Sequence, residues 1–230
     1  MSLNDAVQNA KDEVVTTHWR GRYSQKRIAA TLLVLVILQL PFGDLVPGSG
    51  IAPQIAREAL FWVMTLLLIV YILFIEKRSL SSIGLRRPTW KSFVFGLAAA
   101  LIMVGGAAVI YLAVFPALGL SPNEAGLRAV QSTPLWFQAL VVMRAPIFEE
   151  IYYRGFMIGR LTEMTGVGWL AALISLVAFT FAHLSYWGWT TLIVVAFQGA
   201  ILTMLYILRR DLGANILAHF VLDVTSFLLA

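Results

Sequence analysis

Seven long apolar runs, separated by short polar segments, dominate the hydropathy pattern of this 230-residue chain. A membrane-spanning α-helix needs about 20 mostly apolar residues, and each run meets or approaches that length. The runs cover residues 26–42, 56–75, 92–114, 133–153, 167–184, 188–208 and 212–230. The pattern predicts an all-α, polytopic transmembrane bundle of about seven to eight helices. We expect one transmembrane domain at 26–230, preceded by a polar cytoplasmic segment at 1–25.

Composition supports a membrane protein and excludes several kinds of chemistry. Hydrophobic residues make up 60% of the chain and charged residues 13%, with a mean hydropathy of +0.82, whereas soluble domains carry about 25% charged residues. There is no cysteine, so disulfides, a thiol nucleophile and cysteine-ligated zinc are excluded. The net charge of +5 lies in short loops, and we expect no nucleic-acid partner.

Basic residues gather in alternate loops. Lys and Arg residues precede the first run and follow the second, fourth and sixth runs: Arg20, Arg22, Lys26, Arg27, Lys77, Arg78, Arg86, Arg87, Lys91, Arg154, Arg160, Arg209 and Arg210. The intervening loops, 43–55 and 115–132, hold only Asp44, Glu124 and Arg128. Because cytoplasmic loops carry an excess of Lys and Arg, we predict a protein of the inner (plasma) membrane with a cytoplasmic N-terminus and an external C-terminus.

Two adjacent glutamates and an arginine end the fourth run. Ionisable groups in an apolar span cost on the order of 3 kcal/mol each, which makes them candidates for a functional site. Glu150 and Arg154 are four residues apart in the order that favours an ion pair on one helix face, and we interpret this pair as structural. Glu149 is rotated by about 100° from Glu150 around a helix. It has no partner nearby in the sequence, which makes it a candidate general base.

Two histidines follow within later apolar runs. His183 ends the fifth run, and His219 lies on one face of the last run with Asp223 four residues later and Asn215 one turn earlier. Any one of these side chains alone is typical of a hydrogen-bonded core residue, but together with Glu149 they favour a catalytic site.

The turn signal at Gly166 is equidistant from Glu149 and His183. Two antiparallel helices meeting there would place both residues about 25 Å from the turn, where they could share one water. His219 lies only about 12 Å from the turn near residues 211–213. Either that loop is sunk into the bundle or a helix is broken, and the sequence leaves both arrangements open.

The segments Glu149-Glu150-x-x-x-Arg154, Phe179-x-x-x-His183 and His219-x-x-x-Asp223 resemble three ordered motifs of the CPBP family. These are the CAAX-protease and bacteriocin-processing (Abi) intramembrane proteases, which include Rce1-type prenyl-protein peptidases. The resemblance places a catalytic core at about 133–228. It implies that Glu149 and His183 activate a water molecule, and that His219 and Asp223 support the oxyanion or the polar network.

Asp223 departs from the family pattern, because family members often have Asn at this position. A carboxylate cannot donate a hydrogen bond unless it is protonated, so orienting His219 or binding a cation fits Asp223 better than an oxyanion role. Phe179 and Asn215 are expected to orient the site.

The resemblance implies an intramembrane endopeptidase, a glutamate protease that hydrolyses a membrane-associated or lipidated peptide or protein and needs no cofactor. We expect its cavity to open towards the cytoplasmic half. The His-Glu-x-x-His zinc signature is absent, although zinc held by Glu149, His183, His219 and Asp223 stays an alternative. The same residues are also compatible with a non-catalytic scaffold or bacteriocin-immunity protein, or with a proton- or cation-coupled transporter. Neither the substrate nor the oligomeric state is indicated.

Overall fold

The computed structural model describes residues 25–48 and 50–228, and all regular secondary structure within these ranges is helical. The prediction of an all-α membrane bundle is therefore confirmed. The predicted cytoplasmic segment at 1–25 lies outside the described residues, apart from Gln25.

The α-helices follow one another along the chain with short connections. They are α1 (Gln25–Leu38), α2 (Ile51–Val70), α3 (Trp90–Val109), α4 (Phe115–Leu118), α5 (Ala125–Gln131), α6 (Leu135–Glu149), α7 (Gly159–Thr165), α8 (Gly168–Ala182), α9 (Leu184–Arg209) and α10 (Leu212–Asp223). Segments of π-helix extend α2, α3, α6 and α10, at Tyr71–Ile75, Ile110–Val114, Glu150–Ile158 and Val224–Leu228. Short 3₁₀ turns lie at Phe42–Leu45 and Leu80–Ile83.

In the described part of the chain, three helices are long and apolar enough to cross a membrane: Ile51–Ile75, Trp90–Leu118 and Leu184–Arg209. Shorter apolar helices cover Ile28–Leu38, Gly168–Ala182 and Leu212–Phe227. The helix formed by α6, its π segment and α7 differs from these apolar helices, because six charged residues interrupt its apolar sequence between 135 and 165.

That helix also corrects the predicted end of the fourth run. It continues from residue 153 to Thr165, so Arg154 and Arg160 lie inside it and not in the loop to which the hydropathy pattern assigned them. Both side chains are fully buried. Burial is tolerated because each guanidinium has a carboxylate partner: Arg154 Nη1 lies 2.9 Å from Glu150 Oε1, and Arg160 Nε lies 2.9 Å from Glu76 Oε1.

Small residues allow α10 to pack closely against α3 and α9. A Cβ atom on Gly96 would lie 2.9 Å from the carbonyl oxygen of Ala214. A core cluster fills this contact: Ala99, Met103, Leu202, Leu205, Ala214, Ala218 and Leu222. Small residues at such positions are typical of membrane helices, where close packing drives association.

The turn between α9 and α10 is sunk into the bundle, which is one of the two arrangements left open for His219. A helix is broken as well, because α9 has a kink at Gly188, where φ is +69°. The Leu212 amide donates to the Gly84 carbonyl at 2.9 Å, so the loop before α3 covers this turn. Gly84 has a φ of +81°, and a Cβ there would lie 2.9 Å from the Arg210 carbonyl oxygen. Leu212 also packs beside Gly155, eleven residues before the Gly166 turn. The buried turn therefore raises His219 to the depth of Glu149.

Candidate active site

Four ionisable side chains from three helical segments converge inside the bundle. Glu149 and Glu150 lie where α6 passes into its π segment, His183 follows the last residue of α8, and His219 lies in α10. α8 runs antiparallel to α7 after the Gly166 turn, where φ is +75°. This arrangement brings together every residue that the sequence motifs placed in the site.

The change to π-helix at Glu150 comes one turn after Pro146, whose ring nitrogen cannot donate a backbone hydrogen bond. Segments of π-helix occur frequently at functional sites. The neighbouring helix supports this one, because Ser175 Oγ donates to the Tyr153 carbonyl at 2.8 Å. The hydroxyl of Tyr152 likewise donates to the Leu35 carbonyl at 2.7 Å.

Glu150 is fully buried and has three hydrogen-bond donors. Arg154 Nη1 and His219 Nδ1 each lie 2.9 Å from its Oε1, and Asn215 Nδ2 lies 3.1 Å from its Oε2. The predicted contact with Arg154 is present, and two further contacts tie Glu150 to α10. A carboxylate with its acceptors occupied in this way is suited to holding helices together.

Arg154 extends this network to two more helices. Its Nη2 donates to the Gly199 carbonyl at 3.1 Å, and its guanidinium lies 4.1 Å from the centre of the Phe179 ring. A Cβ on Gly199 would lie 2.8 Å from that ring, so only glycine lets α9 approach this closely. Phe179 is 3% exposed and separates Arg154 from the cavity.

Glu149 has surroundings quite different from those of Glu150. Its Oε2 is buried and has no hydrogen-bond partner among the described residues. His183 Nε2 lies 3.7 Å and His219 Nε2 lies 3.9 Å from this oxygen. The side chain is 14% exposed and lines a cavity. One carboxylate oxygen therefore faces two imidazoles without bonding directly to either.

His183 is held in one orientation by the backbone. Its Nδ1 lies 2.7 Å from the Phe179 carbonyl oxygen, and a carbonyl only accepts, so Nδ1 carries the proton. In the neutral imidazole Nε2 is then the acceptor, and Nε2 is the atom that faces Glu149. The Phe179-x-x-x-His183 spacing produces this bond, because residues four apart lie one helical turn from each other.

His219 is oriented by the carboxylate of Glu150. Its Nδ1 donates to Glu150 Oε1, which leaves Nε2 directed at the cavity. There Nε2 lies 3.7 Å from Asp223 Oδ1 as well as 3.9 Å from Glu149 Oε2. Asp223 is 8% exposed. Asp223 Oδ1 therefore lies beside the His219 nitrogen that faces the cavity.

Arg144 and Glu58 belong to the same site, although no sequence motif pointed to them. The guanidinium of Arg144 binds Glu58 through two hydrogen bonds of 2.9 and 2.7 Å. Its Nη1 lies 4.0 Å from Glu149 Oε1. A signal was present, because Arg144 is a lone arginine in the middle of an apolar run, where any charge is a functional candidate. Its partner could not be found, since Glu58 is 86 residues away in sequence.

A cavity of about 1020 Å³ leads to these side chains, and Glu149, His183, His219 and Asp223 line it. Its other walls are mostly apolar and include Leu38, Phe61, Leu127, Phe137, Phe181 and Trp187. It reaches the site from the end of the bundle that carries loops 43–55 and 115–132. The charge pattern placed those loops outside the cell, whereas the cavity was expected to open towards the cytoplasm. These two expectations are not compatible with one another.

The described residues contain no group of three or more His, Asp or Glu side chains arranged to hold a metal ion.

Comparison with known proteins identifies the family of this core. Residues 131–225 match the sequence model of the Rce1-like family, described as type II CAAX prenyl endopeptidase Rce1-like. No curated protein and no solved structure matches the chain. The matched residues include the two glutamates, both histidines, Asp223 and Arg144, which confirms the resemblance drawn from the three motifs. Residues 131–225 are therefore similar to the core of the CPBP/Rce1-type membrane protease family.

Proposed function

We propose that this protein is an intramembrane endopeptidase in which Glu149 and His183 activate the attacking water. One observation carries the proposal: Glu149 Oε2 and His183 Nε2 lie 3.7 Å apart, and no residue that the structure describes makes a hydrogen bond to the carboxylate oxygen. Both atoms are hydrogen-bond acceptors, because His183 donates through Nδ1 to the Phe179 carbonyl. Two acceptors directed at one point in a cavity can share the two protons of a single water molecule.

The proposed reaction is a simple hydrolysis. Glu149 takes a proton from the water as the water oxygen forms a bond to the carbonyl carbon of the scissile peptide. The C–N bond then breaks, and the departing amine receives the proton from Glu149. A general base of this kind contributes about 10²–10⁴-fold to the rate.

The oxyanion that forms on the carbonyl needs donors directed at it. His219 Nε2 is the imidazole nitrogen assigned to this role, since Nδ1 is already held by Glu150. Asp223 Oδ1, 3.7 Å from this nitrogen, would stabilise a protonated His219. Arg144, which lines the cavity 4.0 Å from Glu149 Oε1, adds a second positive charge to the site.

The apolar cavity walls favour a hydrophobic stretch of a membrane-associated or lipidated polypeptide as the substrate. We propose that no metal or other cofactor is required, because a base and donors are supplied by the side chains themselves. We also propose a plasma-membrane location with a cytoplasmic N-terminus, on the basis of the basic loops.

Cleavage of a peptide library by the purified full-length protein tests the proposal, with products read by mass spectrometry. Glu149→Gln should abolish cleavage. Glu163→Gln is the matched control, because Glu163 lies on the same helix at its other end, near Arg78 and Arg160, and it should retain cleavage. Equal turnover by wild type and Glu149→Gln would show that the base is another group. No cleavage by folded wild type would favour a scaffold or a transporter.

A further inference from the structure

We infer that the substrate reaches this site from the extracytoplasmic side of the membrane, so that the protein acts on polypeptide segments exposed on or translocated to that side. This inference rests on the proposed peptidase function. It combines two independent features of the molecule: the end of the bundle at which the cavity opens, and the end at which the basic residues lie.

In the part of the chain that the structure describes, the cavity extends from Glu149 towards one end of the bundle. Between Glu149 and that end, which carries loops 43–55 and 115–132, the cavity walls come from helix ends and loops. They include Pro41, Gln54, Tyr111, Leu127, Ser185 and Phe227. Of the described residues, none in segments 76–91, 160–168 or 209–213 lines it. The opposite end carries those three segments.

The opposite end is also closed by packing. The loop before α3 covers the sunk turn, and a Cβ on Gly155 would lie 3.0 Å from Ile83 and 3.4 Å from Leu212. The fully buried Arg160 pairs there with Glu76. α6 and its extensions continue sixteen residues past Glu149 in this direction, so a thick, well-packed layer separates the catalytic side chains from that end.

The basic residues of the loops lie mostly at the closed end. Segments 76–91 and 209–210 contain Lys77, Arg78, Arg86, Arg87, Lys91, Arg209 and Arg210. At the cavity end, segments 39–57 and 118–131 contain only Arg57 and Arg128. Arg57 donates to the carbonyls of Val46 and Gly48, and Arg128 pairs with Glu124.

This asymmetry persists although Arg154 and Arg160 are buried and no longer count as loop residues. The excess of Lys and Arg marks the cytoplasmic side, which places the closed end in the cytoplasm and the cavity mouth outside. In this inference the cavity opens to the extracytoplasmic side, and not towards the cytoplasmic half as expected from the sequence. A cytoplasmic protein tail would meet the closed end, whereas a translocated peptide or the outer part of a membrane helix meets the open mouth.

The absence of cysteine from the chain permits a direct test with three isosteric Ser→Cys variants of the full-length protein. Ser185→Cys places a thiol on the cavity wall, Ser121→Cys one on the exposed loop at the same end, and Ser81→Cys one on the exposed loop at the closed end. None of these changes alters the charge that sets orientation. Spheroplasts of a bacterial host are treated with a membrane-impermeant maleimide before and after permeabilisation.

Ser121→Cys and Ser185→Cys should be labelled in intact spheroplasts, and Ser81→Cys only after permeabilisation. The reverse pattern would overturn the inference, because it would show that the protein has the opposite orientation in the membrane. Labelling of Ser121→Cys in intact spheroplasts with Ser185→Cys reactive only after permeabilisation, or never, would overturn it by showing that the cavity is closed to the outside.

Activity supplies the second arm of the test. If the cavity is the substrate path, external maleimide should abolish cleavage by Ser185→Cys and leave cleavage by Ser81→Cys unchanged. Retained cleavage by fully labelled Ser185→Cys would contradict the inferred path. The labelling pattern does not require activity, so failure of the peptidase proposal, seen as no cleavage by the unlabelled protein, is distinguishable from failure of the access route.

Discussion

Glu149 and Glu150 are adjacent in the chain, yet their carboxylates have different surroundings. The Glu150 carboxylate is fully buried with three hydrogen-bond donors, while Glu149 Oε2 faces the cavity and receives no hydrogen bond from the part of the chain that the structure describes. The rotation between successive helical residues separates the two side chains, and the change to π-helix begins between them. The same pair of residues thus supplies one group that holds the bundle together and one that is available to substrate.

The first prediction concerns these two glutamates. Glu149→Gln should abolish peptide cleavage with little change in thermal unfolding, because the Glu149 Oε2 atom makes no hydrogen bond to a described residue that the change could remove. Glu150→Gln should lower the free energy of unfolding by about 3–5 kcal/mol, since it leaves the Arg154 guanidinium as a buried charge without a counter-ion. Thermal unfolding in detergent and the peptide assay measure both effects. Full activity of Glu149→Gln would show that the base is another group.

The second prediction concerns Asp223. Asp223→Asn should retain cleavage, because an amide oxygen can take the carboxylate's position beside His219 Nε2 and the amide nitrogen adds a donor. Asp223→Ala should reduce cleavage, because His219 Nε2 loses the neighbour that lies 3.7 Å away. The two variants are compared by kcat on one cleaved peptide. If Asp223→Asn is as inactive as Asp223→Ala, the negative charge itself is needed, which would favour cation binding.

The third prediction concerns the ion pair between Arg144 and Glu58. Arg144→Gln should lower the free energy of unfolding by about 3–5 kcal/mol because a nearly buried carboxylate is left unpaired. The double variant Glu58→Gln/Arg144→Gln should lose less than the sum of the two single variants. The exposed pair of Arg128 and Glu124 is the matched control, and Arg128→Gln should cost less than about 1 kcal/mol. Additive losses in the cycle would show that the Arg144 pair contributes little.

The fourth prediction concerns metal dependence. Cleavage should survive a chelator that inactivates a zinc protease in the same buffer, because Glu149 and His183 suffice to activate water in the proposed mechanism. Loss of activity with rescue by added zinc would instead favour a site held by His183, His219 and a carboxylate. Metal analysis of the purified protein distinguishes a bound ion from an adventitious one.

The part of the site that depends on local geometry was predictable from the sequence. Glu150 and Arg154 pair because helical residues four apart share one face. Glu149 and His183 meet because each lies seventeen residues from Gly166, and the constant rise of a helix brings equal lengths to equal depth. The three motifs in order also indicated the family that the match to residues 131–225 supports.

Only the tertiary structure shows how the packed helices are offset from one another along their axes. The sunk turn before α10 raises His219 and Asn215 to the level of Glu150, and no local rule sets that offset. Contacts distant in sequence decided the rest: Glu58 joins Arg144, and Glu76 lets Arg160 lie buried within a helix longer than its apolar run. The open end of the cavity follows from this packing, because hydropathy reports which segments are apolar and not which of their ends remain unfilled.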